Sequence, residues 1–367
     1  MGFTSMAVAR TPTLAIAFEQ TEGLAATSFA GEGHRANVCG VTGTAAESDE
    51  FVLRAEQYRP ELLAYCYRML GSLADAEDAV QETYVRAWRA FDSFEERASL
   101  RTWLYRIATN TCLSALKHHG RRVLPSGLGA PSQDSSAPPN SVDTSVTWLQ
   151  PFPDDRLPDS NDPAAIVTAR DTVRLALVAS LQYLPPRQRV VLILREVLAW
   201  SAAEVAELLD ISVAAVKSAL QRARARLDDV APVADQVGEL TEPQQRELLD
   251  RYVAAFEKAD PAALERLLRA DATLEAPPLR RWYSGIRYCM PYMGQHVLGS
   301  PGHWRMLPAS ANGQPAVAAY HRGADGGYLP YGIVVLTADA EGISRITAFG
   351  DADLVTAFGF PAVPPDA

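Results

Sequence analysis

Residues 201–227, SAAEVAELLDISVAAVKSALQRARARL, read as two short helices around a three-residue turn. Ser201 and Glu204 have the S-x-x-E spacing of a capping box, which starts a helix at Ala202. Val205, Ala206, Leu208 and Leu209 give that helix an apolar face. Asp210-Ile211-Ser212 interrupts it, and Ser212 is placed to cap the next helix. Asp210 stands where such turns often carry glycine, and aspartate tolerates left-handed backbone geometry better than most residues. Ile211, Val216, Leu220 and Ala223 are spaced to pack back on the first helix. That leaves Lys217, Arg222, Arg224 and Arg226 outward, with no acid from Val213 to Arg226. Ser212, Ala214, Ala215, Lys217, Ser218 and Gln221 occupy the leading part of the second helix. In helix-turn-helix proteins that part meets base edges in the major groove; the later arginines suit phosphates. An ordinary helical hairpin with a solvated basic face has the same local pattern, so the rest of the chain must decide.

Upstream, SLRTWLYRIATNTCLSALKHHGRR at 99–122 has apolar residues at 100, 103, 104, 107, 108 and 115, a helical spacing. Arg106, Asn110 and Lys117 fall on the other side. From Arg97 to Arg122 there are six Lys or Arg and no acid, a surface suited to phosphate. Trp103 and Tyr105 offer rings for stacking on unpaired bases, although Trp103 sits in the apolar stripe and reads in the first place as core. Just before lies a helix of opposite character, DAEDAVQETYVRAWRAF at 75–91. Ala76, Ala79, Val80, Thr83, Tyr84 and Ala87 form its buried side; Asp78, Gln81, Glu82 and Arg89 face out. An acidic helix beside a basic one is poorly suited to phosphate and reads as a protein-docking face or a solvated one.

Three long segments in this order, YRPELLAYCYRMLGSLADAEDAVQETYVRAWRAF, SLRTWLYRIATNTCLSAL and LPPRQRVVLILREVLAWSAAEVAELLDISVAAVKSALQRARARL, resemble bacterial sigma factors of the extracytoplasmic-function (ECF) group. The first two are similar to the second sigma domain, at 51–122, and the third to the fourth, at 165–230. The resemblance implies that Asp75, Glu77, Asp78, Gln81, Glu82 and Arg86 dock on the beta-prime subunit of core RNA polymerase. It implies that Arg101, Arg106, Asn110, Ser114 and Lys117 bind and help open the −10 element of promoter DNA. Ser212, Ala215, Lys217, Ser218, Gln221, Arg222 and Arg224 inherit reading of the −35 element. The implied function is promoter recognition and transcription initiation, with bond-making left to the polymerase core of beta-prime and beta subunits. An anti-sigma factor or a small ligand is a further partner the family admits.

The net charge of −10 over 367 residues means that nucleic acid would be met by local basic patches rather than a global field. Cys39, Cys66, Cys112 and Cys289 are scattered without a C-x-x-C, which suggests neither a zinc site nor a disulfide framework and fits a reducing cytoplasm. No metal, nucleotide or cofactor motif is present, and no run of about 18 apolar residues suggests a membrane span. Residues 1–50, with six acids and two bases, read as a disordered tail. Segment 123–164 has eight prolines, many serines, six Asp and one basic residue, Arg156. Such a composition lacks the apolar area to fold alone and predicts an extended, disordered linker, with Trp148, Leu149 and Phe152 as candidate anchors on a folded domain.

The last part, 239–365, goes beyond a minimal factor of this group. Helices are expected over 242–258 and 261–269, then strands at 272–276, 303–309, 315–322, 328–338 and 343–350. Helices followed by a curved antiparallel sheet predict an α+β cone, and the segment resembles the SnoaL-like polyketide-cyclase fold. The expected architecture is thus two all-α sigma domains, the second with a helix-turn-helix, joined by a disordered linker and followed by an α+β SnoaL-like cone. Cones of this kind enclose a pocket, and Glu275, Trp282, Trp304, Tyr320, His321, Tyr331 and Asp351 are its candidate lining. An Asp near a Tyr or His is a possible general base, but strand aromatics are usually core, and Asp351 is equally placed to cap a helix beginning at Ala352. Two functions follow: a sigma factor with a built-in regulatory domain and no catalysis, or a ligand sensor or pocket enzyme fused to a DNA-binding module that acts without polymerase.

Overall fold

The computed structural model describes residues 51, 53–91, 94, 99–118, 120–159, 163–230 and 240–365. The expected tail at 1–50, with Cys39, and the cation Arg97 lie outside the described residues. In the first module, α1 (Arg59–Leu70) ends at Gly71, whose φ of +70° is the left-handed cap that glycine takes without strain. Ser72 then caps α2 (Leu73–Arg89) by accepting from the Asp75 N–H at 3.1 Å. Helix α2 buries the six residues expected, together with Leu73. α3 (Leu100–His118) completes the bundle: Tyr65 meets Tyr105 edge-on at 5.2 Å, and the Tyr65 and Thr109 hydroxyls share a 2.7 Å hydrogen bond.

The second module contains α4 (Pro163–Asp171), α5 (Leu175–Leu181), α6 (Pro186–Leu192), α7 (Ala202–Leu209) and α8 (Val213–Val230). Helix α6 widens into one π-helical turn over Ile193–Val197. Both halves of the Ser201/Glu204 capping box form, at 3.2 and 2.6 Å. Asp210 takes φ 53°, ψ 51°, the left-handed turn expected of it, and the Ser212 hydroxyl accepts from Ala215 N–H at 3.1 Å.

The third module opens with α9 (Glu242–Glu257) and α10 (Pro261–Glu265). Its strands are β1 (Leu268–Glu275), β2 (Trp282–Ser284), β3 (Trp304–Ala311), β4 (Gln314–Arg322), β5 (Tyr328–Asp339) and β6 (Gly342–Phe349), with α11 (Ile286–His296) between β2 and β3 and α12 (Asp353–Ala357) last. The sheet order is β2-β1-β6-β5-β4-β3. Its antiparallel character needs one correction, because β1 and β6 pair in parallel. The chain crosses from β2 at one edge to β3 at the other through α11, which returns the last strand beside the first in the same direction. Pattern reading also misses β2 and α11; the strand is only three residues long, and Pro291 inside the helix looks like a breaker.

Alternation along the strands sorts the side chains onto two faces. Leu274, Met306, Val317, Ala319, Val334, Leu336 and Ile346 pack with Tyr252, Phe256, Tyr292 and Met293 in a core of the third module's own. Ala316, Ala318, Tyr320, Ile333, Val335 and Phe349 belong instead to the core of the helical modules, with Leu124, Leu149 and Phe152 of the linker. The sheet is therefore the floor on which the rest of the chain stands. Its tightest backbone approach is at Gly332, φ +153°, where an added Cβ would come within 1.8 Å of the Phe349 carbonyl oxygen. Gly332→Ala is expected to destabilise the third module by on the order of 3 kcal/mol or more; a thermal melt matching that of the parent chain would refute this.

Segment 123–159 has little regular structure, as its composition requires: short 3₁₀ turns at Pro125–Gly127 and Asp154–Arg156, and a bridge between Val123 and Trp148. It is nonetheless a strap and not a solvated tether. Leu149 and Phe152 are buried anchors as anticipated; Trp148 is half-buried, its indole N–H donating to the Asp143 carbonyl at 3.1 Å. Upstream of these anchors the strap lies along β2 and α11. Trp282 Nε1 donates to the Gly129 carbonyl (2.9 Å), Arg281 to Pro138 (2.6 Å) and Ala137 (3.2 Å), and Tyr283 to Asp134 (3.3 Å). A polar segment that cannot build a core is ordered here because its backbone acceptors are satisfied by the next module.

Candidate docking and nucleic-acid interfaces

The candidate recognition helix α8 and its cap present Ser212, Ala215, Lys217, Ser218, Gln221, Arg222 and Arg224 to solvent, while Val216, Leu220 and Ala223 are buried. Several of these groups are already engaged. Arg222 donates to the Ser218 hydroxyl at 2.5 Å, Arg224 pairs with Glu196 at 2.6 Å, and Arg226 reaches the Tyr183 carbonyl at 2.8 Å. Arg222 and Arg226 share one side of the helix, while Arg224, two residues from each, projects from another toward Glu196.

On α3 the side chains of Arg106, Asn110, Ser114 and Lys117 form one exposed file. Arg101 is set apart from it. Its guanidinium pairs with Glu61 at 2.8 Å and lies over the rings of Tyr105 (5.1 Å) and Trp200 (5.7 Å). Trp103 is half-buried against Phe94, 4.8 Å between ring centroids. Arg106 donates to the backbone oxygen of Glu207 at 2.7 Å, so the −10 candidate helix touches α7 of the second module.

Helix α2 divides its polar side in two. Asp78 and Gln81 are exposed, and Glu82 pairs with Arg86 at 2.6 Å one turn on. Asp75 and Glu77 are occupied from within the chain. Asp75 pairs with Arg122 at 2.5 Å, and Arg122 also donates to the Trp148 carbonyl at 2.7 Å. One Glu77 oxygen takes Arg59 and the other takes Arg156 of the linker, each at 2.7 Å.

Buried polar groups stitch the modules together. Arg68 of α1 donates to the Thr172 hydroxyl (2.6 Å) and carbonyl (3.1 Å). Arg189 of α6 reaches the Met69 carbonyl and, at 2.7 Å, the Gln182 side chain. Burial lowers both guanidinium groups to about 10. The β3–β4 hairpin tip enters the same junction. Asn312, fully buried with φ 57°, accepts from Phe152 N–H at 2.9 Å and donates to Tyr67 Oη at 2.8 Å and Val173 O at 2.6 Å. Gly313 N–H donates to the Asp154 carboxylate at 2.8 Å; burial raises that carboxyl above its usual range despite the bond. Asn312-Gly313 between two strand runs is a legible hairpin signal; that its side chain plugs three other segments is not legible locally.

The pocket candidates of the third module do not share one cavity. Trp304 and Tyr331 meet edge-on at 5.2 Å inside the second core, with His321 6.3 Å from Trp304; burial pushes the Tyr331 hydroxyl up to about 12. Tyr320 points to the opposite face and donates to Pro361 O at 2.7 Å. Glu275 is buried on that side too, accepting from Arg345 (2.8 Å) and from Ser126 N–H of the strap (2.9 Å), while Trp282 holds the strap. Asp351 is exposed beside a cleft of about 560 Å³ that includes Arg122, Trp148 and Pro278, and its carboxylate accepts from Asp353 N–H at 3.1 Å ahead of α12.

Among the described residues no helix is long and apolar enough to cross a membrane. Residues 55–122 match the Sigma-70 region 2 family and residues 174–227 the Sigma-70, region 4 family. The ECF RNA polymerase sigma factor SigG of Mycobacterium tuberculosis is 49% identical over 315 residues, 85% of this chain and 84% of the relative. The ECF RNA polymerase sigma factor SigW of Bacillus subtilis is 29% identical over 181 residues, 49% of this chain and 88% of the relative. The crystal structure of Mycobacterium tuberculosis SigJ aligns with a TM-score of 0.55 at 25% identity, covering 85% of this chain and 99% of that one. Both region matches fall on the modules built above, helix α2 included, and the reading as a sensor acting apart from polymerase finds no support in them. Two helical sigma modules, a strap and a SnoaL-like sheet domain in one chain belong to the ECF RNA polymerase sigma factor family, whose members direct promoter recognition and transcription initiation.

Proposed function

We propose that this sigma factor rests in a closed arrangement, held by its strap and third module, and opens when it joins core polymerase. The observation that carries this is the Arg106–Glu207 contact at 2.7 Å, within a hydrophobic core that runs unbroken from α1–α3 to α7 and α8. The −10 and −35 elements are about 25 base pairs apart, or about 85 Å of B-form DNA. A chain whose −10 helix touches α7 cannot reach both at once. In the open state Arg106, Asn110, Ser114 and Lys117 would face the −10 element, and α8 the −35 element. Arg101 would act there once released from Glu61.

Asp78, Gln81 and Glu82 offer polymerase an accessible first contact; Asp75 and Glu77 become available after Arg122 and Arg156 let go. Arg156→Ala should therefore tighten core binding by roughly two- to fivefold, the range of an exposed ion pair; unchanged affinity in a titration of labelled core would count against it. The third module acts by holding, not by chemistry, and the site of action is the cytoplasm, where polymerase works. Run-off transcription with core polymerase tests the whole reading by comparing the full chain with a version ending near residue 235. Higher specific initiation from the shortened chain supports closure by the third module. Equal output would remove that role, and no specific initiation from either form would overturn the promoter assignment.

A further inference from the structure

We propose that the leading turn of α8 reads the C5-methyl groups of thymine in the −35 element, chiefly through Val213. This rests on the assignment of α8 to that element. Val213 is the first residue of the helix, is β-branched and apolar, and is 40% exposed. Single exposed apolar side chains are common on surfaces. This one stands where a recognition helix meets base edges, beside the exposed methyl groups of Ala214 and Ala215. The flanking hydroxyls are held as acceptors, Ser212 capping the helix through Ala215 N–H at 3.1 Å and Ser218 accepting from Arg222 at 2.5 Å, and each keeps one O–H to donate on either side of the apolar turn. Lys217 and Gln221, which make no side-chain hydrogen bond among the described residues, lie one and two turns further along.

At Val213, Ala214 and Ala215 the leading edge therefore offers methyl groups, with hydroxyl donors only at its flanks. Apolar side chains discriminate base pairs in the major groove by contact with the thymine methyl, while lysine suits guanine and glutamine suits adenine. The lack of any acid from Val213 to Arg226 also leaves no carboxylate to accept from the cytosine amino group. The −35 element selected by this helix should then carry thymine, on one strand or the other, opposite Val213, with a purine readable by Lys217 or Gln221 beyond it.

The test uses holoenzyme assembled from the full chain and a promoter selected from a library randomised at the −35 element. Each thymine of that element, on both strands, is replaced singly by deoxyuridine, which removes only the methyl group. At one or two positions binding should fall about three- to fourfold, the effect of one buried methyl, and in Val213→Ala the loss at that position should shrink. Deoxyuridine without effect at every position, in an element whose randomisation abolishes initiation, would overturn the inference and leave the −35 assignment standing. If randomising the element has no effect, the assignment fails and the inference with it.

Discussion

Asn312→Gly should release the third module from the helical ones without unfolding either. Glycine keeps the left-handed backbone of the hairpin tip, where φ is 57°, so the substitution isolates the loss of the side chain. Phe152 N–H and Val173 O, now at 2.9 and 2.6 Å from the Asn312 amide, would be left buried without partners. Each orphaned group costs about 1–3 kcal/mol, and a small cavity adds to it, so the junction should weaken by on the order of 2–6 kcal/mol. The loss concerns one interface in a chain of several modules, so it should appear as local opening and not as a shift of one global transition. Faster proteolysis within 123–159, a larger radius of gyration and higher initiation without a change in promoter preference are the expected results. A proteolysis pattern like that of the parent chain would show that the hairpin plug is not what holds the modules together.

On the docking role proposed for α2, lysine at both Asp78 and Glu82 should cost at least tenfold in affinity for core polymerase, because reversing the charge of the face would replace attraction by repulsion. Both side chains lie on the solvent side of α2, and among the described residues the pair lost is Glu82–Arg86, worth about 0.3–0.5 kcal/mol as an exposed pair one turn apart. The helix should stay folded, which circular dichroism checks directly. The deficit should be largest at low ionic strength and shrink as salt screens the exposed charges. Full-strength binding by the double variant would move the docking surface elsewhere on the first module.

What was readable in advance follows the range of the interactions concerned. The Ser201/Glu204 capping box, the left-handed Asp210 and the buried side of α2 are decided within one or two helical turns, and their residues sit where local rules place them. The strap was not readable in this way. Its composition excludes a core of its own, but its order comes from donors on Arg281, Trp282 and Tyr283, more than 140 residues away in the chain. The parallel β1–β6 pair depends on the crossing through α11, and strand patterns carry spacing without order. Among the site residues, helical periodicity places Arg106, Asn110 and Lys117 of the exposed file on α3, with Ser114 added by the family resemblance, but the engagement of Arg101 by Glu61 and of Glu77 by Arg156 joins segments 40 and 79 positions apart. Asn312 was legible as a turn and invisible as a plug, since nothing in a hairpin signal says what the tip will enter.

The way the third module grips the strap separates two demands on one piece of chain. Arg281, Trp282 and Tyr283 all hold backbone carbonyl oxygens, those of Gly129, Asp134, Ala137 and Pro138. Carbonyl oxygens are common to every residue type, so most side chains between 129 and 138 can vary without loosening the grip, save Asp134, whose carboxylate shapes the turn by accepting from Ser136 and Ala137 N–H. The clamp constrains chain length and direction in place of identity. Single substitutions away from Asp134 should be neutral for closure, whereas inserting or deleting one residue would move carbonyls out of register with their donors.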